Sequence, residues 1–136
     1  MGARSTTVNT NPVPSSTSST TRPRGEHESL VDVLMNSGRP KAAVERALAE
    51  MAQGIIIGIE RSSISVFDAW DELFNIANYR SIRRHRLSPT IGELFTWGME
   101  LSNVARVAPE GLTESLDHMS KLAIRIMQSR RRKRAA

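Results

Sequence analysis

Residues 40–60 read PKAAVERALAEMAQGIIIGIE, and whether this stretch is helix or strand decides the fold class of the chain. Val44, Leu48, Met51, Ile55 and Ile59 recur at intervals of four, three, four and four, which places them on one helical face. Pro40 suits the first helical position, where its missing N–H is no loss and its φ is already helical. The run Ile55–Ile59, IIIGI, has β-propensity of its own, but the helical interval passes through it unbroken, so the reading is helix. Up to Met51 the helix is amphipathic. Beyond Met51 it is apolar on every side, which predicts a segment enclosed by neighbours, with Gly54 and Gly58 on a face where another backbone can come close.

The flanking sequence continues in the same period. Upstream, Ser29 caps a short helix in which Leu30, Val33 and Leu34 share a face, ended by Ser37 and Gly38. Downstream, Ser65 with Asp68 three positions later forms a capping box for a helix over about 66–76, with Val66, Ala69, Trp70 and Leu73 as its apolar stripe, widened by Phe67 and Phe74. Asn75 and Asn78 read as its stops. Tyr79–Arg86 is a short basic segment anchored by Ile82, and Ser88 with Pro89 opens a helix carrying Ile91, Leu94, Phe95, Gly98, Leu101 and Ala105. After Pro109 a last helix repeats Leu112, Leu116, Met119, Ala123 and Ile126 at four, three, four and three. That interval suits antiparallel packing in a bundle, and it also suits a homodimer through the last helix. The fold expected is all-α, a compact bundle of five or six helices with the Ile-rich helix at its centre.

The chain has 136 residues, a formal charge of +5 and a sequence pI near 10.7, figures that on their face point to a polyanionic partner. The charge is unevenly placed. Residues 1–24 hold eleven Ser or Thr, three Pro and three Arg without one acid, and a disordered leader over 1–26 is expected. Arg130, Arg131, Arg132, Lys133 and Arg134 form a basic tail over 130–136, where mutual repulsion should fray the helix end. Those two ends take eight of the 19 basic residues, leaving 11 against all 14 acids, so residues 25–129 carry −3. A helical domain over 27–129 that gripped nucleic acid with its own surface should instead be basic.

Other classes are narrowed by composition. With no cysteine there is no disulfide framework, thiolate zinc site or thiol nucleophile, which fits a reducing compartment, and a cytoplasmic location is the expectation. No apolar run is long enough to span a membrane, the longest window being the nine residues 51–59. His27, His85 and His118 form no metal-binding spacing, so no metal and no cofactor are expected. Asp68, Asp71 and Glu72 are helix neighbours able to hold a cation, but acids in a first turn favour the helix dipole and solvate the outer face, and that simpler role is preferred. No P-loop or nucleophile elbow occurs. The expectation is a protein without enzymatic activity.

One cluster inside the domain stands out: Tyr79, Arg80, Arg83, Arg84 and Arg86, with Asp71 and Glu72 on the preceding segment. Guanidinium groups three and four apart line a helix face and suit carboxylates or phosphates. The stretch from Glu50 to Met127 also resembles a family of short bacterial proteins known as a domain of unknown function. The resemblance lies in Gly54 and Gly58, Ile64-Ser65-Val66-Phe67-Asp68-Ala69, Leu73-Phe74-Asn75, and Gly98-Met99-Glu100-Leu101 followed by Val104 and Pro109, with departures at Ile76 and at Ser102-Asn103. It implies a compact helical protein of accessory or immunity-like character and supplies no mechanism. The leading functional reading is therefore a protein-binding or regulatory protein using the Tyr79–Arg86 cluster. The alternative is a nucleic-acid-binding protein using Arg80–Arg86 and the terminal cations.

Overall fold

The computed structural model describes residues 28–135, with side chains as far as residue 129; the expected leader over 1–26 lies outside the described residues. All regular structure among the described residues is helical: α1 (Leu30–Met35), α2 (Lys41–Glu60), α3 (Val66–Glu72), α4 (Ile76–Arg84), α5 (Pro89–Met99), α6 (Leu101–Val107), a 3-10 turn (Pro109–Gly111) and α7 (Leu112–Ala135). The fold is the all-α bundle expected from the sequence.

Three starts are set by serine caps. Ser29, Ser65 and Ser88 accept from the backbone N–H of Asp32, Asp68 and Ile91, and Asp68 returns a bond to Ser65 N to complete the capping box. Each cap supplies an acceptor for an N–H that the first helical turn would leave unpaired.

α2 and α7 pack antiparallel: Arg46 Nη1 donates to Met127 O at 3.3 Å, and Ser120 Oγ to Gln53 Oε1 at 3.0 Å. Apart from these polar pairs the seam is apolar. Val44, Leu48, Ala49, Ala52 and Ile56 of α2, and Leu116, Met119, Leu122 and Ala123 of α7, are buried. α7 touches α2, α5 and α6, so the element that occupies the centre is α7 and not the Ile-rich helix. The expected enclosure of the IIIGI segment is met in part: Ile55, Ile56 and Gly58 are buried, but Ile57 is 39% exposed.

Four local expectations are corrected. Phe67 and Trp70 do not join a core stripe; they are 64% and 42% exposed, while Ala69 alone of α3 is buried. No element among the described residues covers their face, and Leu73 and Phe74, just past the helix, fill the core instead. Asn75 is not a stop but the N-cap of α4, accepting from Asn78 N at 2.9 Å, and Asn78 is buried inside that helix. The long helix expected from Pro89 divides at Glu100, whose N–H bonds back to Trp97 O in a 3-10 turn; Gly98 before and Ser102-Asn103 after hold a helix weakly. Finally, α7 continues as helix through Ala135 and does not fray at Arg130, as cations at a helix C-terminus are favoured by its dipole.

Close approach is required at two glycines. A Cβ on Gly98 would lie inside the Phe74 ring, which packs edge-on against Phe95 at 5.3 Å and 74°, and a Cβ on Gly58 would meet the Ile64 side chain. Gly54, expected to share such a role, faces open space. Gly98→Ala should therefore destabilise by about 1–3 kcal/mol in denaturant titration, since Phe74 and Phe95 cannot move without opening the core. Gly54→Ala should be neutral or stabilising by up to about 1 kcal/mol.

Candidate functional site

α4 is polar on both faces, which needs explanation in a helix that helps close a core. Its inward polar groups are consumed by α1 and the α3–α4 turn. Asn78 Oδ1 accepts from Val31 N at 3.1 Å, Asn78 Nδ2 donates to Leu73 O at 2.8 Å, and Ser81 Oγ lies 2.6 Å from Ser29 Oγ. Ile82 is the apolar anchor, 2% exposed.

The arginines then separate. Arg84 Nη2 donates to both carboxylate oxygens of Asp32 at 2.7 Å and to Ser81 Oγ at 3.0 Å, and His85 Nε2 lies 2.8 Å from Asp32 Oδ1. Burial pushes the Asp32 carboxyl up, but hydrogen bonds from His85, Arg84 and Ser81, with the Arg84 charge, outweigh it and hold the pKa below 3.8. Arg84 is thus a clasp between α1 and α4. Arg80 is exposed on α4 and lies outside the groove described next.

Tyr79, Arg83 and Arg86 do come together. They line a shallow groove of about 350 Å³ between α4 and α5, floored by Ile82 and Leu87, with Gly92, Glu93 and Thr96 along its α5 wall. Arg83 Nη1 donates to the Tyr79 hydroxyl at 3.3 Å, and its guanidinium sits 5.9 Å from the ring centroid. Hydrogen bonding from Arg83, then from Thr96, lowers the Tyr79 pKa from its ordinary value.

Arg86 is held in an unusual backbone state, φ 58°. It is the left-handed residue that ends α4: Leu87 N donates to Ile82 O and Arg86 N to Arg83 O, both at 3.1 Å, the paired bonds of a Schellman turn. Ser62 takes the same position after α2, at φ 62°. Glycine is the usual occupant, since a side chain there costs about 1–2 kcal/mol. The turn is fixed from α2, where Glu45 Oε2 accepts from Ser88 N at 2.8 Å and Lys41 Nζ reaches Arg86 O at 3.4 Å.

Asp71 and Glu72 do not join the groove. They are exposed on α3, which packs on α5 and α6. The side chains of Arg130, Arg131, Arg132, Lys133 and Arg134 lie outside the described residues. Glu93, Thr96 and Gly92 were not singled out by sequence, and no spacing signal marks them, because they reach Tyr79 only when α4 and α5 are folded against one another. A second concavity, about 500 Å³, lies between α5, α6 and α7, where the Trp97 and His118 rings meet at a 42° tilt with centroids 4.3 Å apart and His118 Nε2 is 3.5 Å from Glu93 Oε2.

A bundle whose polar groove is built on a cap-and-turn frame is a structural class without an activity attached. The chain belongs to a family of proteins of unknown function, DUF3969, which matches residues 39–136. The match includes the whole groove and begins after α1, so the Asp32 side of the clasp lies outside it. Comparison with curated proteins and with solved structures finds no match. Among the described residues no helix is long and apolar enough to cross a membrane.

The clasp has a pH signature. Because its folded-state pKa is lowered, Asp32 contributes stability above its ordinary value of 3.8 and loses it as pH falls through the folded value. Asp32→Asn should cost roughly 1 kcal/mol at neutral pH, the interaction being screened at Arg84, which is 58% exposed, and should remove the acid-dependent loss of hydrogen-exchange protection in α1.

Proposed function

We propose that the protein is a non-enzymatic binding protein whose α4–α5 groove takes an acidic peptide segment of a partner protein. The observation that carries this is Arg86: a charged side chain occupies the left-handed position where glycine would be more stable, at the mouth of the groove that Arg83 and Tyr79 also line. Strain of that kind is retained where surrounding structure enforces it, and it clusters at binding sites. Arg83 and Arg86 offer planar donors to carboxylates, and Tyr79 offers an aromatic face with a hydroxyl at its rim. The apolar floor of Ile82 and Leu87 suits an aliphatic side chain beside the acids. Glu93 on the α5 wall selects for a short acidic stretch bounded by a basic or neutral residue.

Asp68 is taken up by the capping box, and Asp71 and Glu72 stand in solvent on α3, so no catalytic role is assigned to them. An accessory or immunity-like role is compatible with a small preformed groove, and cytoplasmic function with a chain that has no cysteine.

Selection from a displayed library of acidic peptides against the full chain tests the proposal. Selected peptides should map by NMR shift changes to 79–96, and Arg83→Glu should weaken them at least about tenfold, a loss of about 1.4 kcal/mol. Arg86→Gly should raise stability by up to about 1 kcal/mol and still weaken binding, whereas Ser62→Gly should raise stability alone. Peptides that bind Arg83→Glu and Arg86→Gly as well as the parent would remove the groove from consideration. Retention on heparin that these two variants abolish, without peptide binding, would favour the nucleic-acid reading.

A further inference from the structure

α3 presents a surface the groove does not use. Phe67, Trp70 and Asp71 stand three and four apart on its outward face, the two aromatic rings 64% and 42% exposed, and Ile76 at the start of α4 is 48% exposed beside them in sequence. The helix VFDAWDE carries three acids and no base, and no ion pair among the described residues takes up Asp71 or Glu72. Exposed aromatic surface edged with carboxylates is complementary to arginine, whose guanidinium stacks on a ring while its N–H groups pair with the acids.

The chain carries such a segment in Arg130–Arg134, on the last turns of α7. Its own α3 is out of reach. Met127 of α7 lies against Arg46 near the start of α2, and from Arg46 to the end of α2 at Glu60 the helix rises roughly 21 Å. α3 follows that far end, fixed there by Ile64 on Gly58, while α7 runs about 12 Å further in the opposite direction to Ala135. The acceptor and the cations therefore sit at opposite poles of one molecule.

We infer that two copies of the chain associate head to tail, the arginine-rich end of α7 of one docking on the Phe67, Trp70, Asp71 and Glu72 face of α3 of the next. The contact is heterologous, so each copy keeps a free donor and a free acceptor and assembly continues beyond the dimer unless it closes into a ring. It is separate from the peptide groove and does not depend on it.

Two charge-neutralised full-length chains test this by sedimentation velocity. Arg131→Gln with Arg132→Gln and Lys133→Gln disables the donor; Asp71→Asn with Glu72→Gln disables the acceptor. Thermal melts should match the parent, since all five positions lie on exposed or terminal turns. The parent should form species larger than a dimer at low salt, weakening roughly tenfold or more on moving to high salt. Each variant alone should be monomeric, and an equal mixture should form a one-to-one dimer and stop there, because only one donor and one acceptor remain. Phe67→Ser with Trp70→Ser should weaken assembly without changing net charge. A parent that stays monomeric at low salt overturns the inference, as does a donor variant that associates like the parent, or a mixture that fails to dimerise. Donor cations that bind heparin but support no self-association would assign the tail to nucleic acid and likewise overturn it.

Discussion

The antiparallel seam between α2 and α7 is the constraint from which the remaining geometry follows. Two polar pairs cross its apolar core, Arg46 with Met127 and Gln53 with Ser120, and these fix the register as well as the direction. Burial of the aliphatic residues along both helices contributes the bulk of the drive at about 25 cal/mol per Å² of apolar surface. Because α7 also receives α5 and α6, a change along the seam would move three helices at once. The same apolar positions that suit a coiled-coil dimer are consumed within one chain, with Leu116, Met119, Ala123 and Ile126 all buried.

α4 then decides which charges are free. A helix with buried Asn78 and Ser81 would be a liability in an apolar bundle unless each polar group met a partner, and each does, on α1 or on the preceding turn. That inward set fixes the rotation of the helix about its axis. Once fixed, position 84 faces Asp32 and position 83 faces Tyr79 and α5. Adjacent arginines of identical chemistry thus acquire different roles from a rotation enforced by uncharged neighbours.

Periodicity and capping chemistry made most of the frame legible. Ser29, Ser65 and Ser88 are caps as read, and the α7 stripe is buried from Leu116 to Ile126, with Leu112 half-buried at its start. What failed was whatever depends on a third body. Phe67 and Trp70 lie at core spacing, yet no element covers them, and an apolar spacing by itself cannot report the absence of a partner helix. Asparagine ends a helix and begins one with the same side chain, so Asn75 is ambiguous in sequence and only the bond from Asn78 N chooses. The Tyr79–Arg86 cluster was visible as a cluster, but its division into a clasp and a groove was not, since Asp32 is more than fifty positions from Arg84.

The formal charge of +5 is therefore a poor description of the molecule's field. It sums residues 25–129, whose 14 acids outnumber their 11 bases, with terminal segments of the opposite sign. The seam converts that imbalance along the sequence into a separation in space, with the acidic aromatic helix at one pole and the approach to the cationic run at the other. A uniform basic surface would draw polyanions without discrimination, whereas a polar one orients whatever approaches it. Between the poles, the groove balances Arg83 and Arg86 against Glu93, so attraction there is short in range and depends on fit. Net charge and local charge thus point to different partners, and the local arrangement governs because screening leaves only near neighbours in effective contact.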